Sequence, residues 1–304
     1  MVIDSPVLKS EYPFKSHYFD LHGLKYHYLD EGQGEPVIML HGNPSWSFYY
    51  RHLVRELRND FRVIAPDHIG CGLSDKPADS QYSYTLAQRV ADLDAFLSHL
   101  DLSSNITLVL HDWGGMIGMA WAAARQNRVA RLVLMNTAAF HLPPAKKLPL
   151  ALKICRETQF GAFLVQGLNL FARGAAFVGC QRQRMPAELR KAYCAPYDNW
   201  QHRVATLRFV QDIPLSQEDP GYDLISQVEK QLTLFAERPV CICWGEKDFV
   251  FDQHFLAEWR KYLPQAEVHS FPDCGHYILE DARDEVLPII RNFLKEHPLS
   301  AESR

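Results

Sequence analysis

No run of about 18 apolar residues occurs anywhere in the 304-residue chain, so a helix crossing a bilayer is not expected. The opening stretch, Met1 to Lys15, also lacks the apolar core of a secretory leader. Neither sign of charge prevails. With 32 Lys and Arg against 36 Asp and Glu, the net charge of −4 gives no electrostatic reason to expect nucleic acid. Cys-x-x-Cys pairs and His-rich clusters with zinc spacing are missing, so neither a metal nor a cofactor is expected. The seven cysteines are scattered and odd in number, and Cys241-Ile-Cys243 sits in an apolar run. They read as reduced core thiols, which places the expectation in the cytoplasm. Repeats and low-complexity segments are absent too.

What is present is an alternation of strand-length and helix-length patterns. His17 to Gly32 reads as a hairpin turning at His22-Gly23. A short, continuously apolar run follows at Pro36–Leu40, and further strand-length segments at Phe61–Pro66, Ile106–Leu110, Leu132–Met135, Val240–Trp244 and Ala266–Phe271. Continuous rather than alternating runs fit strands covered on both faces. Helical patterns such as Thr85–Leu100 and Met116–Gln126 separate them, which predicts a mostly parallel sheet with helices on both faces. The rhythm stops between about Ala138 and Gln231. That stretch shows helical patterns with turns at Pro143-Pro144, Pro186, Pro196 and Pro214, and it is too long for a loop. It reads as an inserted helical cap over 138–231, with 1–137 and 232–304 forming the α/β core. The tail beyond Leu294 is polar and expected to fray.

Chemistry concentrates in four places. In Leu108-Val-Leu-His-Asp112-Trp-Gly-Gly, an apolar strand runs into one polar residue, two glycines and an apolar helix. That is the setting of a nucleophile elbow, where a sharp turn lifts one side chain over the sheet edge. Asp112 stands where serine hydrolases carry Ser, and Leu110 stands where their motif has Gly. A carboxylate of ordinary pKa, about 3.9, is ionised at neutral pH, so it needs no base to become a nucleophile. The bland reading makes Asp112 a helix cap. Gly275-His276 follows the last strand, where the chain order nucleophile, acid, histidine puts its base. Asp248 follows the strand Val240–Trp244 and can hold the histidine tautomer. Glu246 is the weaker alternative, and Asn136-Thr-Ala-Ala after the preceding strand offers no acid. Finally, Leu40-His-Gly-Asn43-Pro-Ser-Trp and Trp113 supply backbone N–H groups for an oxyanion and two side-chain donors, the Asn43 amide and the Trp113 indole. Simple packing is the alternative for Trp113.

On these residues the chain resembles the haloalkane dehalogenases of the α/β-hydrolase fold, from Asn43-Pro-Ser-Trp through Pro66–Pro77, His-Asp112-Trp-Gly-Gly and Gly-Glu-Lys-Asp248 to Gly275-His276. The resemblance implies an Asp112 ester resolved by His276 with Asp248, and Asn43 plus Trp113 cradling the leaving anion. Cys243 to Leu256 and Gly275 to Asp281 look more like the β-lactone decarboxylases of bacterial long-chain olefin biosynthesis. That implies a cis-β-lactone with two long alkyl chains going to a cis-alkene and CO₂, with attack on either the carbonyl or the ring carbon. A small hydrophobic substrate is expected, and other enzymes of such a pathway come into view as partners. The greasy cap stretch Ala162–Phe171 and Ala175–Val178 either lines a tunnel for alkyl chains or packs on the core. An epoxide hydrolase would use cap tyrosines, for which Tyr193 and Tyr197 lie in the right region. A non-catalytic binder would lack a member of the triad, and none is missing.

Overall fold

The structure, a computed structural model, describes residues 6–102 and 104–299. Eight strands make one sheet: β1 (His17–Leu21), β2 (Leu24–Glu31), β3 (Pro36–Leu40), β4 (Arg62–Pro66), β5 (Ile106–Asp112), β6 (Val129–Thr137), β7 (Val240–Gly245) and β8 (Glu267–Phe271). Their order in space is β1-β2-β4-β3-β5-β6-β7-β8. β2 is antiparallel to both β1 and β4, and every later pair is parallel. The β1–β2 hairpin turns through His22 (φ 53) and Gly23 (φ 86), both left-handed, as a two-residue turn matched to strand twist requires.

The continuous apolar runs are explained by two cores. Ile38, Leu40, Leu108, Leu110, Leu132, Leu134 and Ile242 point to one face, and Val37, Met39, Val109, Val133, Met135, Cys241 and Cys243 to the other. Helices Leu86–His99 and Trp113–Ala124 cover the first face, while Arg51–Leu57 and Arg283–Glu296 cover the second. Truncating one such residue, Leu110 for example, would cost roughly 2–5 kcal/mol.

β6 runs well beyond the apolar Leu132–Met135, because polar residues at its ends are buried with partners. Arg131 donates to Thr107 Oγ1 (2.9 Å) and Leu294 O (3.0 Å). The helix expected from Met116 starts three residues earlier, at Trp113. Between β6 and β7 the described residues form helices and no strand: Leu150–Glu157, Gln159–Gln166, Leu170–Val178, Ala187–Cys194, Val204–Gln211 and Tyr222–Gln231. Pro149 and Pro186 each directly precede one of them, where a missing N–H costs nothing. The last helix continues past Leu294 to Glu296, and residues 300–304 of the expected polar tail lie outside the described residues. All seven cysteines are free. Among the described residues no single helix is long and apolar enough to cross a membrane.

Candidate active site

Asp112 ends β5 and is followed at once by the helix Trp113–Ala124. Its backbone sits at φ 52, ψ −126, a conformation costing an L residue on the order of 1–3 kcal/mol unless its surroundings impose it. Here they do. Thr137 Oγ1 donates to Asp112 O at 2.5 Å. Behind the turn the helix lies so close to β3 that a Cβ on Gly114 would come 1.9 Å from Leu40 O. The strand–elbow–helix geometry thus follows from small residues exactly where two backbones meet.

The two oxygens of Asp112 have different surroundings. Oδ1 accepts from the backbone N–H of Asn43 (3.0 Å) and from that of Trp113. Oδ2 lies 3.3 Å from His276 Nε2. The backbone donors expected to hold a substrate oxyanion therefore hold the candidate nucleophile itself. The reason is reach, since Gly42 passes so near that a Cβ there would stand 2.2 Å from Oδ1.

His276 Nδ1 contacts Asp248 Oδ2 at 2.7 Å. Burial disfavours the charged imidazolium, but Asp248 and then Asp112 outweigh it and raise His276 to about 10. For Asp112, burial pushes the carboxyl up, and His276, His111 and the Asn43 N–H outweigh it, leaving a net downward shift. The pair is thus an ionised carboxylate beside a protonated imidazole. Glu246 is exposed, takes a hydrogen bond from Ser270 Oγ (2.5 Å), and has no contact with His276.

Three supporting residues went unassigned in the sequence. Asn136 occupies the place where an acid was sought after β6. Its amide donates to Asp248 Oδ2 (3.0 Å) and Gly245 O (2.9 Å), and its oxygen accepts from Gly245 N–H (2.9 Å). His111 donates from Nε2 to His276 O (2.9 Å), and burial keeps it neutral by lowering it to about 3. Asp281 Oδ2 accepts from Gly275 N–H and Gln181 N–H, each at 2.7 Å, tying the histidine loop to the segment after helix Leu170–Val178. Only the position of Asn136, one residue past an apolar strand, carried a sequence signal.

Asp112 and His276 open into a cavity shared with Asn43 and Trp113. The rest of its wall is apolar, including Met116, Phe140, Leu152, Phe171, Val210, Ile213, Phe249 and Phe251. The Asn43 amide spends one N–H on Thr206 O (3.1 Å) and keeps a second. Tyr193 and Tyr197 do not line the cavity. The first donates to Glu280 (2.5 Å) and the second to Ser45 O (3.2 Å), so the tyrosines an epoxide hydrolase would need are engaged elsewhere.

A profile of the α/β hydrolase fold matches residues 35–282. Over 284 residues the chain is 58% identical to a cis-3-alkyl-4-alkyloxetan-2-one decarboxylase of Shewanella oneidensis, covering 93% of this chain and 89% of that one. It is 51% identical to the protein of the same name from Xanthomonas campestris, with coverage of 91% and 94%. With haloalkane dehalogenase 2 of Mycobacterium tuberculosis it shares 31% over 92% of this chain and 94% of that one. A solved structure, a variant of a haloalkane dehalogenase from Agrobacterium tumefaciens, matches at TM-score 0.82 and 25% identity, covering 92% of this chain and 96% of that one. The chain belongs to the α/β-hydrolase-fold family of enzymes, with proteins named oxetanone decarboxylases and haloalkane dehalogenases among its relatives.

Proposed function

We propose that the chain is a β-lactone decarboxylase that converts a cis-3,4-dialkyl oxetan-2-one to a cis-alkene and CO₂, with Asp112 as nucleophile and His276–Asp248 as its charged partner. The carrying observation is that relatives bearing the decarboxylase name are 58% and 51% identical to this chain over 284 aligned residues. The apolar cavity wall supports a substrate with alkyl arms.

In this reading Asp112 Oδ2 attacks the ring carbon that bears oxygen. The ring C–O bond breaks, an alkyl ester of Asp112 forms, and the released carboxylate is held by the free Asn43 N–H and the Trp113 indole. The C–CO₂ bond then breaks, its electron pair forms the alkene, and the ester C–O bond returns its pair to Asp112. Attack at the carbonyl would instead leave an anhydride and an alkoxide, from which CO₂ cannot depart directly. Inversion at the ring carbon followed by anti elimination yields a cis-alkene from a cis-lactone, and no water is consumed. A protonated His276 suits the second step, because it hydrogen-bonds the departing carboxylate oxygen. Residues 138–231 act as the cap in this scheme, and seven unpaired thiols support a reducing, cytoplasmic setting.

The test offers a long-chain cis-β-lactone and 1,2-dibromoethane side by side. Alkene and CO₂ from the first, with negligible bromide from the second, are expected. Rapid bromide release with an untouched lactone would overturn the proposal in favour of dehalogenation. The Asp112→Asn variant should remain folded and lose at least about a thousandfold in turnover.

A further inference from the structure

The apolar stretch of the cap does not face one way. Phe171 and Ala175 line the cavity, whereas Phe160 (67% exposed), Phe163 (50%) and Phe177 (47%) stand in solvent, as do Leu168, Leu170 and Val178. On helix Gln159–Gln166 the two phenylalanines are three residues apart, hence on one side. On helix Leu170–Val178, Leu170, Arg173 and Phe177 form one stripe. Trp200 (49% exposed) extends the patch, its ring 6.4 Å from that of Phe163. Exposure of this many large apolar side chains on two successive helices marks a surface that meets something apolar.

Charge identifies the occupant. Residues 138–200 hold nine Lys and Arg against three Asp and Glu, while the rest of the chain holds 23 against 33. Lys147, Lys153, Arg173 and Arg184 are exposed and have no carboxylate partner among the described residues. Arg184 and Arg190 both lie over the Phe177 ring, at 4.4 and 5.4 Å. Exposed aromatic and aliphatic side chains fringed by unpaired cations are the signature of an element resting in the headgroup region of an anionic bilayer. A symmetric pairing of two copies through this face would set like charge against like.

We propose that the face formed by helices Gln159–Gln166 and Leu170–Val178 docks on an anionic lipid surface. The two helices bend by 73°, and nine residues of helix reach only about 14 Å, so the element lies on the bilayer without spanning it. One helix then separates lipid from the cavity, with Leu170 and Phe177 on its outer side and Phe171 on its inner side. Phe249, both exposed and part of the cavity wall, marks the adjoining mouth. An alkyl-chain substrate or product can pass between membrane and cavity with little exposure to water. The docking stands on surface features alone and holds whichever reaction Asp112 performs.

The experiment is cosedimentation of the full chain with vesicles of phosphatidylcholine alone and of phosphatidylcholine with about one third phosphatidylglycerol. Binding to the anionic vesicles is expected to exceed binding to the neutral ones about tenfold, and to fall when salt rises from about 0.1 M to about 0.5 M. Phe160→Ser with Phe163→Ser should weaken it about tenfold, and so should Lys153→Glu with Arg173→Glu, with circular dichroism unchanged. Protein left in the supernatant with anionic vesicles overturns the proposal, as does binding indifferent to both double variants. A dimer in solution that Phe160→Ser dissociates, without vesicle binding, also overturns it, in favour of a second copy.

Discussion

Asn136 and His276 converge on one atom: the Asn136 amide and His276 Nδ1 both contact Asp248 Oδ2, at 3.0 and 2.7 Å. The amide also joins β6 to β7 through Gly245, so it fixes Asp248 to the sheet. Asn136→Ala should leave Gly245 N–H unsatisfied and lower stability by about 1–3 kcal/mol. Turnover should fall by roughly tenfold through kcat, with KM little changed, because the imidazole loses alignment rather than the substrate its site. Urea unfolding and steady-state kinetics on the lactone check both parts.

The proton on His276 makes a second prediction. Its value in the folded chain is about 10, against about 6.5 for an unperturbed histidine. The folded state binds this proton more tightly, so the stabilisation is complete below about 6.5 and is lost as pH rises through about 10. The stability gap between wild type and His276→Gln should therefore shrink steadily over that interval. A gap independent of pH would count against the imidazolium. Lactone turnover should hold through about pH 9 for the same reason.

Gly42 is a steric prediction. A Cβ there would lie 2.2 Å from Asp112 Oδ1, so Gly42→Ala must displace the carboxylate. Misplacement of a reacting group by about 1 Å costs on the order of a hundredfold in rate. Loss of turnover without loss of the cavity's affinity for a non-reactive alkyl ligand is expected from paired kinetics and calorimetry.

Trp113→Phe removes the indole N–H and keeps most of the ring packing against Phe209, whose centroid is 5.2 Å away. Stability should change by less than about 1.5 kcal/mol. Turnover should fall by about a hundred- to a thousandfold, as when one donor to a developing anion is removed. An unchanged rate would reassign Trp113 to packing.

The sheet was largely legible in the sequence because each central strand carries an apolar core stretch buried on both faces. Asp112, Asp248 and His276 could be picked out from chain order, and the fold brings them within contact. Legibility failed where burial is paid for by polar partners distant in sequence. Arg131, Asn136 and Thr137 lengthen β6, yet hydropathy ends that strand at Met135. The N–H groups of Asn43 and Trp113 were recognised as donors, but their acceptor depends on the close crossing of Gly42 over β5. The greasy cap segment had two readings, tunnel lining or core packing, and much of it does neither, because which side of a helix meets solvent is settled by its neighbours.

A carboxylate is symmetric as a chemical group, and the pair of backbone donors on Oδ1 removes that symmetry in Asp112. Swapping the oxygens would require breaking both bonds at once, so each atom keeps its own history through successive cycles. Under the decarboxylation scheme, enzyme working in oxygen-18 water should emerge with this side chain isotopically untouched. A hydrolytic cycle would write solvent oxygen into it, and the label would record which chemistry had occurred.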